Sequence, residues 1–196
     1  MKRQVYLCVI LIALLAQSIQ TKAQIQQGNI LVGADIADLN LGLDEGGNFS
    51  FTINPKAAFF FKDNIALGGY LTFGLSTAKD AGTSINYGVG ALGRYYFSRD
   101  QVNILRQARF FGEGTVGIDG DNPAVGDNTN GLGISFGPGI AYFITPNIGL
   151  EGLFKYNGII GFGSSTTSNN LTLNVGFQIY LPSSKAKEVK EEIKQE

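Results

Sequence analysis

Between Gln24 and Leu181 apolar residues recur at every second position, and no stretch sustains a helical period. Successive side chains of a strand point to opposite faces, so this pattern dictates strands with one apolar face. The clearest case sets Leu171, Leu173, Val175, Phe177, Ile179 and Leu181 against Thr172, Asn174, Gly176, Gln178 and Tyr180. Residues 65–75 and 85–97 alternate as cleanly, and 132–144 and 148–160 follow. Weaker versions occupy 28–37, 49–61 and 108–119, giving eight strands. In the first, the apolar phase slips near Asp38, where a bulge or a strand end would account for it.

The connections alternate in kind. Lys62-Asp63-Asn64 and Thr145-Pro146-Asn147 are tight turns, and 98–107 is a moderate link. Segments 42–48, 77–83, 120–130 and 161–170 are polar loops rich in Gly, Asn, Asp, Ser and Thr. Turns therefore collect at one end of the sheet and loops at the other. An internal repeat fits this layout: residues 55–69 (PKAAFFFKDNIALGG) recur, offset by 83, as 138–152 (PGIAYFITPNIGLEG). The copies lie four strands apart, as two turns on opposite sides of an eight-stranded ring would. Tight turns favour Asn in any protein, so the repeat speaks to fold and not to activity.

Which face meets solvent follows from volume. The apolar face carries Phe, Leu, Ile and Tyr on nearly every strand, while the other is largely Gly, Ala, Ser, Thr and Asn. The interior of an eight-stranded barrel is just wide enough for side chains to fill it, so the bulky set would overfill it. The bulky set therefore belongs outside, against lipid, and the 27 glycines belong largely to a narrow lumen. A charged fraction of 16% is low for a water-soluble surface. Ten tilted residues span about 25 Å, the height of an outer-membrane apolar band, and closure leaves no unpaired edge in lipid. Phe59, Phe61, Tyr95, Phe97, Phe110 and Tyr142 fall near the turn end, and Phe49, Phe73, Tyr87 and Tyr156 near the loop end, as two interfacial girdles. The expected fold is an all-β, eight-stranded antiparallel up-and-down transmembrane barrel over residues 24–181.

The ends carry different signals. Lys2 and Arg3, the apolar run from Val5 to Ala16, and Thr21-Lys22-Ala23 make residues 1–23 a cleaved export signal. Twelve apolar residues fall short of the roughly 20 that a spanning helix needs. Residues 182–196 form a charged tail, with Lys187 and Glu191 at helical spacing, expected on the periplasmic side. The chain has no histidine, and its one cysteine, Cys8, lies within the export signal. That excludes Ser-His-Asp and Cys-His catalysis and the usual structural zinc sites, and no cofactor is expected. A net charge of −1 gives no basic surface for nucleic acid.

The inward phase is charged and nearly balanced: Lys56, Arg94, Arg109 and Lys155 against Asp35, Glu113 and Glu151. Arg94 and Glu113 fall on neighbouring strands at similar heights, and Glu151 and Lys155 are four apart on one strand. Two readings stay open. One is a structural plug, an ion-pair network packed with Tyr70, Tyr96, Phe60 and Phe143; the other is a constriction that selects solutes by charge. Asp119, Asp121 and Asp127 invite a cation site, but their spacing matches no calcium loop, and a solvated loop is the plainer reading.

Signal, alternating strands, tight turns and long loops resemble the small outer-membrane β-barrels of the OmpX, OmpW and OmpA-barrel type. The hairpin of residues 55–69 and the Lys22-Ala23-Gln24 junction are similar to the outer membrane β-barrel/porin family proteins common in Bacteroidota. Asn174, Gly176, Ile179 and Leu181 resemble the signal read by the barrel-assembly machinery, although the strand ends on Leu181 and continues into the tail. The resemblance implies a monomer in the outer membrane of a Gram-negative cell, among lipid and lipopolysaccharide. It implies a structural or loop-mediated role without catalysis; a narrow porin-like channel for small or apolar solutes is the alternative. A secreted soluble ligand-binding barrel is the third reading.

Overall fold

Residues 25–41, 48–78, 82–97, 107–162 and 167–182 are described in a computed structural model of the chain. Eight strands occur in order: β1 (Ile30–Leu41), β2 (Asn48–Lys62), β3 (Ile65–Ala78), β4 (Gly82–Tyr96), β5 (Ala108–Asn122), β6 (Thr129–Thr145), β7 (Ile148–Gly161) and β8 (Thr167–Leu181). Each pairs antiparallel with its neighbour, and β1 pairs with β8, so the sheet is a closed barrel. Residues 1–23, expected as an export signal, and residues 183–196 of the expected charged tail lie outside the described residues.

The alternation sorts side chains as the volume argument requires. Leu67, Phe73, Val89, Phe136, Phe154, Leu173 and Val175 stand exposed on the outer wall, Leu173 at 69%. Leu31, Phe60, Tyr96, Phe111, Leu153 and Tyr180 are buried inside. A shift in the β1–β2 register between Ala37 and Asn40 marks the bulge where the apolar phase slips.

The repeat is structural. In β2–β3 the register shifts between Phe60 and Lys62, and in β6–β7 between Phe143 and Thr145, the matching positions. The Asn64 carbonyl accepts from the Tyr96 amide at 2.8 Å, and the Asn147 carbonyl from the Tyr180 amide at 2.7 Å. Each hairpin thus hands over to an inward tyrosine on the next strand. The rings then pack in matching pairs, Phe60 on Tyr96 and Phe143 on Tyr180, with centroids 5.9 and 5.0 Å apart.

One sequence expectation needs correction. The loops are shorter than their composition implies, because strand pairing continues into them. Asp121 falls in the loop expected at 120–130, and Asp119, the last residue of the strand expected at 108–119, is grouped there with Asp121 and Asp127 in a solvated loop; both lie on β5, and only residues 123–128 connect β5 to β6. Apolar alternation stops where the outer wall leaves the apolar band, at Leu75, Ile85 and Leu171. The backbone ladder runs on beneath Thr77, Thr83, Asn169 and Thr167.

Candidate functional site in the barrel lumen

The lumen is built in layers. At the turn end, Phe60, Tyr96, Phe111, Phe143 and Tyr180 are buried and pack ring on ring inside the barrel. The tip of the Phe111 ring lies over Gly139, where a Cβ would come 2.3 Å from its Cζ, so a larger residue there would displace the ring.

Above the rings sits one continuous polar chain. Gln178 Nε2 donates to Asp35 Oδ1 at 2.8 Å, and Lys56 pairs with the same carboxylate. Lys56 Nζ also reaches Glu113 Oε2 at 3.0 Å. Arg94 lies between two acids: Nε donates to Glu113 Oε2 at 3.0 Å, and Nη1 to Glu151 Oε1 and Oε2 at 2.7 and 2.8 Å. The chain then enters the ring layer, where the Tyr180 hydroxyl donates to Glu151 Oε1 at 2.7 Å. Arg94 Nη1 donates to the Tyr96 hydroxyl, which lies 2.8 Å from that of Tyr180. The guanidinium also rests on the face of Phe111, with its Cζ 4.1 Å from the ring centroid.

Five of the seven lumen charges named from the sequence, Asp35, Lys56, Arg94, Glu113 and Glu151, meet in this layer. Arg94 and Glu113 are direct partners in the β4–β5 register. Lys56 meets Glu113 across the bore, from β2 to β5, a contact that only closure creates. Arg109 is buried nearer the turn end, where its Nη1 donates to the Ala108 carbonyl at 3.1 Å. Lys155 does not join Glu151. Its Nζ lies over Tyr70, 5.7 Å from the ring centroid, and among the described residues it has no carboxylate within ion-pair distance.

Toward the loop end the lumen opens into a cup. Tyr70 and Lys155 lie at its base, and asparagine, threonine and serine side chains make most of its wall. Asp119, which is not among the lumen charges expected from the sequence, accepts the Tyr70 hydroxyl at 3.0 and 3.1 Å. Tyr70 reaches it by crossing Gly90 and Gly117, where a Cβ would lie 2.7 Å from the ring or hydroxyl. Asp121 accepts from Ser168 at 2.9 Å. Asp127 stays in the exposed connection, and no cluster of three potential metal ligands occurs among the described residues.

The β8 motif splits between the two faces. Ile179 faces lipid at the barrel wall, whereas Asn174 and Gly176 are buried inside. A Cβ on Gly176 would lie 2.0 Å from Asp35 Oδ1, so this glycine makes room for the polar layer.

Three outward tyrosines mark the edges of the apolar wall. Tyr87 donates to Asn130 Oδ1 at 2.7 Å and Tyr156 to Asn169 at the loop end, while Tyr142 donates to Gln107 Oε1 at 2.7 Å at the turn end. Each has an apolar body against the wall and a polar tip at its rim, the usual disposition at a membrane interface.

Solved structures share this architecture. The chain is similar to Neisserial surface protein A, with a TM-score of 0.52 and 17% identity over 78% of this chain and 97% of that one. It is also similar to the outer membrane protein OprG from Pseudomonas aeruginosa, with a TM-score of 0.50 and 11% identity over 82% and 99%. At such identities the likeness concerns the fold. No curated protein sequence matches the chain. The family model for the outer membrane protein beta-barrel domain matches residues 9–179, most of the sequence. The chain belongs to that family of outer-membrane barrels.

Proposed function

We propose that the protein is a non-catalytic outer-membrane barrel with a sealed lumen, acting as a monomer through its outer end. The observation that carries this reading is the seal. Arg94, Glu113 and Glu151 are buried and tied to one another, and the ring layer beneath them leaves Phe60, Tyr96, Phe111 and Tyr180 without solvent exposure. A solute crossing the barrel would have to part both layers. The absence of histidine removes the commonest proton shuttle, and the network carboxylates already hold cationic partners. Lipid and lipopolysaccharide are the expected surroundings, with the assembly machinery engaging β8 during insertion.

Planar-bilayer recording on the refolded chain tests the seal, with insertion verified by a heat-modifiable gel shift. A silent inserted barrel is expected. Discrete, reproducible conductance steps would reject the seal and favour a narrow channel for small solutes, with the cup as its vestibule.

A further inference from the structure

The groups lining the cup are mostly paired with one another. Asp119 holds the Tyr70 hydroxyl, Asp121 holds Ser168, Thr72 donates to Asn54 at 2.9 Å, and Asn157 donates to Asn170 at 2.9 Å. Two groups are not. Lys155 is 8% exposed and, among the described residues, has no carboxylate within ion-pair distance. Asn174 is 3% exposed, and its Oδ1 accepts no hydrogen bond. Glu113, Asp35 and Asp119 act on Lys155 only from beyond ion-pair distance, which leaves room for a closer anion, and a buried amide oxygen calls for a donor. The two are neighbours: Lys155 pairs with Thr172 in the β7–β8 register, and Asn174 is the next inward residue of β8. Both line the same cup.

We propose that the cup binds a singly charged, hydroxylated carboxylic acid of sugar size, a uronic acid or the acidic end of a glycan. Its carboxylate meets Lys155 Nζ, and an adjacent hydroxyl donates to Asn174 Oδ1. Its other hydroxyls meet the asparagine, threonine and aspartate side chains higher in the cup. A phosphate is disfavoured, because a doubly charged group would face one cation with Asp119 and Asp121 nearby. An amino acid is disfavoured too, because both aspartates already hold donors and no free carboxylate awaits an ammonium. The proposal rests on the sealed lumen proposed above, which makes the cup a terminus rather than a passage.

The test is calorimetric titration of the refolded full chain in lipid nanodiscs with sodium glucuronate, glucose, acetate and serine. Saturable glucuronate binding at one site, about tenfold tighter than glucose or acetate, is expected. Lys155→Gln should weaken it about tenfold while the gel shift remains intact. Should that variant fail to fold, Asn174→Ser carries the comparison, with a smaller loss expected. A short polyglucuronate separates the sources: tighter binding than the monomer assigns the site to a glycan end, and binding of the monomer alone to a free acid. No saturation, equal binding of acetate, preference for serine, or indifference to Lys155→Gln would overturn the proposal. Conductance recorded on the same preparation keeps the two readings apart. A silent barrel that ignores glucuronate rejects the ligand and leaves the seal, whereas a conducting barrel that saturates rejects the seal and leaves the ligand.

Discussion

Arg94 is the side chain whose loss the lumen should tolerate least, because it alone bridges Glu113 and Glu151. Removing it leaves a carboxylate buried without its counter-charge. Arg94→Ala is expected to cost about 3–5 kcal/mol of barrel stability. Urea unfolding in lipid vesicles, followed by the gel shift, reads that loss. A change below about 1 kcal/mol would mean that the two acids relax to other partners. On the outer wall, Gly120 has a comparable but smaller role. Tyr87 crosses it to reach Asn130, and a Cβ there would lie 2.5 Å from both the ring and the Asn130 oxygen. Gly120→Ala should therefore cost about 1–3 kcal/mol, and most of that cost should vanish in a Tyr87→Ala background. An undiminished cost there would place the strain in the backbone. The alternation alone put all seven charges on the inner face, since phase survives without coordinates. Their pairing was less legible: Lys56 with Glu113 spans non-adjacent strands, and Lys155 leaves its neighbour Glu151 for Tyr70 across the bore.

At the scale of the element, two hairpins built on one sequence design differ in a single backbone detail. Asn64 has φ 66°, the one left-handed non-glycine among the described residues, while its counterpart Asn147 does not. Asparagine tolerates that conformation because its short polar side chain suits it, whereas a β-branched residue does not. Asn64→Val is expected to cost about 1–2 kcal/mol, and Asn147→Val clearly less, by the same urea measurement. Asn64→Gly should be close to neutral. Equal costs at the two sites would mean that side-chain contacts, not backbone conformation, select asparagine in both turns. The repeat was readable as shared residues, but its meaning lay in matched register shifts and in the amides of Tyr96 and Tyr180. Strand ends were the poorest reading, for a physical reason. Hydrophobic alternation reports contact with lipid, and backbone pairing outlasts that contact. Asp121, which falls in the expected loop, is polar because it faces the cup, and its backbone is paired on both sides, with Asn86 and Thr129.

For the molecule as a whole, the outer wall and the lumen obey opposite rules, and only a membrane makes both favourable. A water-soluble barrel would hide Phe154, Leu173 and Val175, which stand exposed here, and would display the charges that this lumen buries. If lipid surrounds the wall, the cost of a charge on it must depend on depth. Phe154, near the middle of β7, and Phe162, just past its loop end, are both exposed and differ mainly in height. Phe154→Arg should cost about 2–4 kcal/mol of stability in phospholipid vesicles, against about 0–1 kcal/mol for Phe162→Arg. Neither replaces a buried side chain, so the contrast isolates the solvent around the wall from packing within it. Equal costs at the two heights would mean that no apolar slab encloses the barrel between its tyrosine rims. The expected gradient would fix the lower boundary of the cup's surroundings as well, since Tyr87 and Tyr156 mark the wall at that level.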